Sequence, residues 1–263
     1  VLALTKNGKQ TLIPNSWEEA GEVAWQLLRD LSRLPLSEGK LSALRRLSGL
    51  GKRDFRKLTP ADLAALDVGT PWLSIGSPLT EPLRKVMRHK GKAYHWPDLQ
   101  FIDGQALAFQ YADEYFEDAL GNDAATSIEA TRNLVATLAR PMQGLRRKPV
   151  TTREEIEYSG AKLISLAPEW SAQALMYWTG VKLSIADTYG EYLFPSDTGG
   201  SMSTAPSFGW ATVFRDVAAE GVFGDLAAVQ AADFHDICQH LSTRVGRNND
   251  ERRAHEQAMS RQK

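Results

Sequence analysis

The feature that most constrains this chain is the return of apolar residues every three or four positions, in one segment after another. Ala20, Val23, Ala24, Leu27, Leu28, Leu31 and Leu34 keep that spacing. On a helix of about 3.6 residues per turn they fall on one face that has to be buried. Ser16 and Glu19 precede the run in the S-x-x-E order of a capping box, which predicts a helix start there. "GQALAFQYADEYFEDAL" (Gly104–Leu120) repeats the pattern, with Leu107, Tyr111 and Tyr115 on one face and Phe109, Phe116 and Leu120 on a flanking one. "AATSIEATRNLVATLAR" is a third helix, stopped by Pro141, which has no N–H to donate. Thr152 with Glu155 predicts a capped start for "REEIEYSGAKLISLA", and Pro168 opens "EWSAQALMYWTGVKLSIADTYG". Asp233 caps a last helix, "FHDICQHLSTRV". One-sided helices bury their faces against one another, so the expected fold class is mainly α, a multi-helix bundle.

Two short ribbons interrupt the helical text. "LALT" and "QTLIP" flank "KNGK", and Asn7-Gly8 suits a tight hairpin turn because both residues tolerate positive φ. "GKAYHWPD" (Gly91–Asp98) echoes "GKQTLIPN" (Gly8–Asn15). Small β-hairpins are therefore expected near residues 2–13 and 90–97, the second standing alone or pairing with the first. Residues 35–79 give a choppy pattern with one clear helix start, Thr59-Pro60, and "PMQGLRRKP" reads as a basic loop. "FPSDTGGSMSTAPS" (Phe194–Ser207) is polar, Gly- and Pro-containing and without period, a linker. The expected organisation is a helical body over 1–194, a linker at 195–207, a C-terminal helical pair over 208–245 and a polar tail at 246–263. That tail either frays or continues as a lone polar helix.

The stretch "FGWATVFRDVAAEGVFG" (Phe208–Gly224) raises the question of function. Trp210, Val213, Phe214 and Val217 share one helix face with Ala218, while Arg215, Asp216 and Glu220 fall away from it. Gly221 suits the left-handed residue after a helix end. Such a stripe faces either the chain's own core or a second protein.

Charge narrows the alternatives. The 263 residues carry a net charge of −1, so the whole-protein field does not point to nucleic acid or a membrane surface. The distribution is uneven: residues 40–92 hold 12 Lys/Arg against 4 Asp/Glu, and residues 98–123 hold 7 acids and no Lys or Arg. The two segments either lie against each other or present opposite faces to partners. No apolar run reaches the roughly 18–20 residues that cross a bilayer. The first ten residues turn polar too quickly for a secretory signal. Cys238 is the only cysteine, which excludes an internal disulfide and fits a reducing compartment.

Candidate chemistry is sparse. "ALRRLSGLGKRDFRKL" (Ala43–Leu58) resembles the helix-hairpin-helix motif. Gly49, Leu50 and Gly51 would form the hairpin and offer N–H groups to a DNA phosphate, with Lys52, Arg53 and Arg56 beside it. The proline often found before the first glycine is Ser48 here. "DTG" (Asp197–Gly199) matches an aspartic-protease triplet without the strand that chemistry needs. "GGSMS" (Gly199–Ser203) lacks the second flanking glycine of a nucleophile elbow. His235 and Cys238 share a helix face but His240 does not, so no metal set is expected, and no cofactor motif is present.

Taken in order, the "SWEE" helix after the first ribbon, "GKAYHWPD", "FQYADEYF", "NLVATLARP", "FGWATVFRDVAAEGVFGDLAAV" and "FHDICQHL" resemble prophage-encoded, tail-gene-associated proteins of tail-assembly-chaperone type. The resemblance spans about residues 1–33, 91–140 and 170–241. It implies a non-enzymatic helical protein without cofactors, acting in the host cytoplasm during virion morphogenesis, with a place in the finished particle left open. It also implies a protein partner, a tape-measure or other tail protein, held by helix-in-groove contacts. The basic insert within 40–92 and the tail after Gly246 depart from that pattern. DNA binding through residues 43–58 is the alternative.

Overall fold

The computed structural model describes residues 2–6, 9–102, 104–121, 123–193 and 209–261. The Asn7-Gly8 turn, the 195–207 linker with "DTG" and "GGSMS", and Phe208 lie outside the described residues. The fold is mainly α: among the described residues, eleven helices accompany three two-stranded antiparallel ribbons. No described helix is long and apolar enough to cross a membrane.

The first ribbon pairs β1 (Leu2–Lys6) with β2 (Lys9–Ile13). Helix α1 (Ala24–Arg33) follows later than the capping pattern predicts. Ser16 Oγ accepts from Glu19 N at 3.2 Å and the Glu19 carboxylate from Asn15 N at 2.8 Å, but these bonds close only a turn. Gly21 at φ +54° is left-handed and interrupts the spiral before α1 can begin. Ala24, Leu27, Leu28 and Leu31 are buried, whereas Val23 and Leu34, at the two ends, stay exposed. The choppy region folds into α2 (Leu36–Ser48), the single turn α3 (Lys52–Phe55) and α4 (Pro60–Val68). Thr59 and Asp62 form a complete capping box at the head of α4, with aspartate in the place usually given to glutamate.

The second ribbon, β3 (Val86–His89) with β4 (Lys92–His95), is a separate sheet and does not pair with the first. It leads to α5 (Ala106–Ala119) and α6 (Ala124–Leu138), packed side by side. Phe109, Tyr115 and Phe116 are buried on α5, while Leu120, just past its end, is exposed. A third ribbon, β5 (Met142–Gln143) with β6 (Arg146–Arg147), replaces the expected basic loop. Helix α7 (Arg153–Ala161) is capped by Thr152, whose hydroxyl accepts from Glu155 N at 3.1 Å.

Helix α8 (Pro168–Leu193) is the axis of the bundle and touches α1, α5, α6 and α11 (Phe234–Arg261). Three successive residues, Met176, Tyr177 and Trp178, are each at most 1% exposed, which requires neighbours on every side. The loop before β3 crosses α8 at Gly180. A Cβ there would lie 1.9 Å from the Leu79 carbonyl oxygen, and Leu79 N donates to Met176 O at 3.1 Å. Helices α9 (Trp210–Ala219) and α10 (Leu226–Ala231) then return the chain to the start of α5. There Ala106 N donates to Ala232 O at 3.0 Å and Phe234 N to Gly104 O at 3.0 Å. Gly221 is left-handed at φ +73°, and Asp233 Oδ1 accepts from His235 N at 2.8 Å, as the sequence leads one to expect of a helix stop and a helix cap. The second half of α11 continues into solvent as a polar helix.

The acidic and basic segments are not one another's main partners. Asp113 and Glu117 of α5 pair with Lys182, and Glu114 with Arg153. Lys40 pairs with Asp67 and Arg46 with Asp30.

Candidate functional site

Two of the ribbons meet at the C-terminal end of α6. His95 of β4 and Arg140 exchange backbone hydrogen bonds, His95 N to Arg140 O at 2.8 Å and Arg140 N to His95 O at 3.0 Å. The bridge lays β4 beside β5. At the far end of the second ribbon, His89 Nε2 donates to the Lys162 carbonyl at 3.2 Å and Lys90 Nζ to the same oxygen at 3.3 Å. Ribbon, α6 end and α7 thereby enclose a cavity of about 290 Å³.

Arg140 forms its floor, with a side chain only 4% exposed. A guanidinium so far from water needs all its donors engaged. Nε donates to Lys148 O at 3.2 Å, and Nη2 to Pro149 O at 2.7 Å and to Glu155 Oε1 at 2.9 Å. Arg140 therefore clamps the chain that leaves β6 against the first turn of α7. Glu155 also accepts from Thr151 Oγ1 at 2.6 Å and Lys148 Nζ at 2.9 Å. Burial opposes charge on this carboxyl, but the Thr151 and Lys148 hydrogen bonds and the Arg140 charge outweigh it and hold its pKa at about 2.

Above the floor the rim is cationic. Lys92, Lys148 and Lys162 line the cavity with Tyr94 and Tyr158. Lys162 Nζ sits 3.6 Å from the Tyr158 ring centroid. A hydrogen bond from Lys162, its charge, and then the charge of Lys92 lower the Tyr158 phenol below its usual range. Behind Arg140 a second cavity, about 330 Å³, is lined by Gln105, Gln143, Arg146 and Arg147 among others. Arg147 Nη1 donates to Leu138 O at 2.9 Å. At the tip of the β5–β6 ribbon Leu145 is 97% exposed, and Met142 beside it is also exposed. Among the described residues, Arg140 and five further cations line the two cavities, with Glu155 the one carboxylate lining either. Such a surface binds anionic groups by charge-assisted hydrogen bonds.

The α9 stripe is placed differently from a free docking face. Phe214 and Val217 are fully buried, and Trp210 and Val213 are half-buried. Trp210 meets Phe109 edge-on at 5.1 Å and Phe234 at 5.0 Å, while Phe109 and Phe234 stack at 3.7 Å. These four residues pack on the chain's own core, because an aromatic face of this size gains most from neighbours tethered to it.

The Gly49-Leu50-Gly51 hairpin is formed between α2 and α3, with Gly49 left-handed at φ +64°. Lys52, Arg53 and Arg56 are exposed around it, and α3 behind it is one turn long. His235, Cys238 and His240 are not brought together. His235 lies between the Gln100 carbonyl, on Nε2, and the Tyr189 hydroxyl, 2.6 Å from Nδ1. His240 Nε2 meets Glu220 Oε2 at 2.7 Å. Cys238 is buried, which pushes its thiol up to about 12. Among the described residues no three His, Cys, Asp or Glu side chains converge as a metal site would require.

Sequence reasoning missed the Arg140 cavity because its walls come from three distant segments. The available signals were the Arg146-Arg147-Lys148 run beside a Gly-Leu turn and the Gly91-Lys92 echo, which no local pattern joins. Comparisons with protein-family models, curated proteins and solved structures find no match to this chain.

Proposed function

We propose that this chain is a non-enzymatic, tail-assembly-chaperone-type protein that holds a helical tail protein in the host cytoplasm during virion morphogenesis. The reading joins the sequence resemblance to one observation: the ribbon end of the molecule combines solvent-facing apolar side chains, Met142, Leu145 and Tyr158, with a cationic rim. A partner helix needs such a mixture, apolar area for affinity and charge for register. The α9 stripe takes no direct part, and only the half-buried edge formed by Trp210 and Val213 is within a partner's reach. Co-purification from a host that expresses the neighbouring tail genes tests the reading. Capture of a tape-measure or other tail protein, reduced by Leu145→Asp, is expected. Recovery of the chain without a tail protein would overturn it.

A second reading is DNA binding through the α2–α3 hairpin, favoured by the exposed Lys52, Arg53 and Arg56 around a correctly turned Gly49. It requires duplex affinity that falls steeply with salt and drops in Arg53→Ala. No duplex binding at low salt would remove it.

A further inference from the structure

The chemistry of the cavity between β4 and α7 identifies what a partner must bring to it. We propose that this cavity takes a carboxylate side chain from an acidic, amphipathic helix of the partner protein, an inference that rests on the protein-handling reading above. Lys92 comes to the lining from β4, Lys162 from the residue that follows α7 and Lys148 from the chain that leaves β6. Of the three, Lys148 is already turned to Glu155 at 2.9 Å. Below them the Arg140–Glu155 pair is neutral as a unit, so the surplus charge belongs to the rim.

Size and surroundings choose a helix over a nucleic acid. A cavity of about 290 Å³ holds one or two side chains, not a groove's length of sugar-phosphate backbone. Glu154 and Glu157 are exposed on α7, the helix that carries Tyr158 and is followed directly by Lys162. A continuous polyanion would meet those carboxylates along its length. A helix with acids on one stripe meets them only locally, and can lay its apolar side chains on Leu145 and Met142. Tyr94 and Tyr158 supply aromatic walls against which the methylenes of a glutamate pack.

The test is fluorescence anisotropy with the full chain and a labelled helical peptide of about 16 residues, with Glu at i, i+4 and i+7 and Leu on the adjoining stripe. The acidic peptide is expected to bind, more weakly as salt is raised. Lys92→Glu and Lys162→Glu should each weaken it roughly tenfold, as removing and reversing a charge at a partly desolvated contact does. Both lysines are exposed, so the variants should keep the wild-type melting temperature, and Lys92→Gln serves as the milder change if one does not. A Lys-for-Glu version of the peptide should not bind, and Arg253→Glu, on the exposed end of α11 and outside the cavity lining, should leave affinity unchanged. The inference is overturned if the acidic peptide fails to bind, if the two lysine variants bind it as wild type does, or if a short DNA duplex displaces it. Co-purification separates this inference from the reading it rests on. A tail partner captured equally by Lys92→Glu/Lys162→Glu leaves tail handling standing and removes the acidic dock. A peptide that binds the cavity while no tail protein is captured does the reverse.

Discussion

The aromatic junction of α5, α9 and α11 and the ribbon end around Arg140 are both rich in rings and close contacts, yet they treat water in opposite ways. At the junction Phe109, Phe214 and Phe234 are at most 2% exposed, and ring packing excludes solvent from all three. At the ribbon end the Arg140 clamp is deeply buried, and the rings and lysines above it are partly or fully exposed. The first region holds the bundle together. The second is the region to which we assign the proposed partner contact. The difference teaches that apolar content alone does not mark a working surface. At the ribbon end six cations line two neighbouring cavities, and Arg140 and Lys148 share the one described carboxylate there, Glu155.

The sharpest way to break that contrast is at the junction. Phe109→Ala removes a ring that contacts Phe101, Trp178, Trp210 and Phe234. It should destabilise the chain by about 3–5 kcal/mol, read as a lower urea midpoint. A midpoint within about 0.5 kcal/mol of wild type would mean that the junction is not the structural region. Next in size is Arg140→Met, which keeps the volume but strips Glu155 of one cation and leaves the Lys148 and Pro149 carbonyls without their donor. A loss of about 3 kcal/mol in the same experiment is expected, since breaking one side of a buried pair leaves the other uncompensated. An unchanged midpoint would show the clamp to be dispensable.

Glu155 gives a smaller, pH-dependent effect. Its folded pKa of about 2 lies below the ordinary 4.5, so its contribution is complete above about pH 4.5 and is lost as pH falls toward 2. Partial exposure screens the gain, leaving roughly 2 kcal/mol. Glu155→Gln should flatten the stability profile in that window, measured by denaturant midpoints at several pH values. A profile that keeps its full acid limb would assign that limb to other carboxylates. The smallest effect is at the ribbon tip: Leu145→Ser should change stability by less than about 0.5 kcal/mol, because an exposed side chain has no packing to lose. A larger loss in thermal unfolding would mean the tip is packed and not free.

Much of the architecture was legible. The Ala24–Leu31 face, the α5 face and the Thr152 and Asp233 caps follow from spacing and from the hydrogen-bonding needs of helix ends. The misses have local causes. Gly21 delays α1 because its left-handed φ cannot be read from an S-x-x-E pattern. Within residues 35–79 the Thr59-Pro60 start of α4 was legible, α3 is a single turn that buries none of its residues, and α2 was missed although it is 13 residues long. The β5–β6 ribbon has only two residues per strand, too few for an alternation to show.

Sequence by itself determined that this chain is a bundle of one-sided helices with small hairpins, because a helix or strand period is written in consecutive residues. Only the tertiary structure decided which apolar stripe was spent on the core and which cations remained at a cavity mouth. Those outcomes depend on distances between Lys92, Arg140 and Lys162, residues far apart in the chain, and the energy of bringing charges together has no local signature.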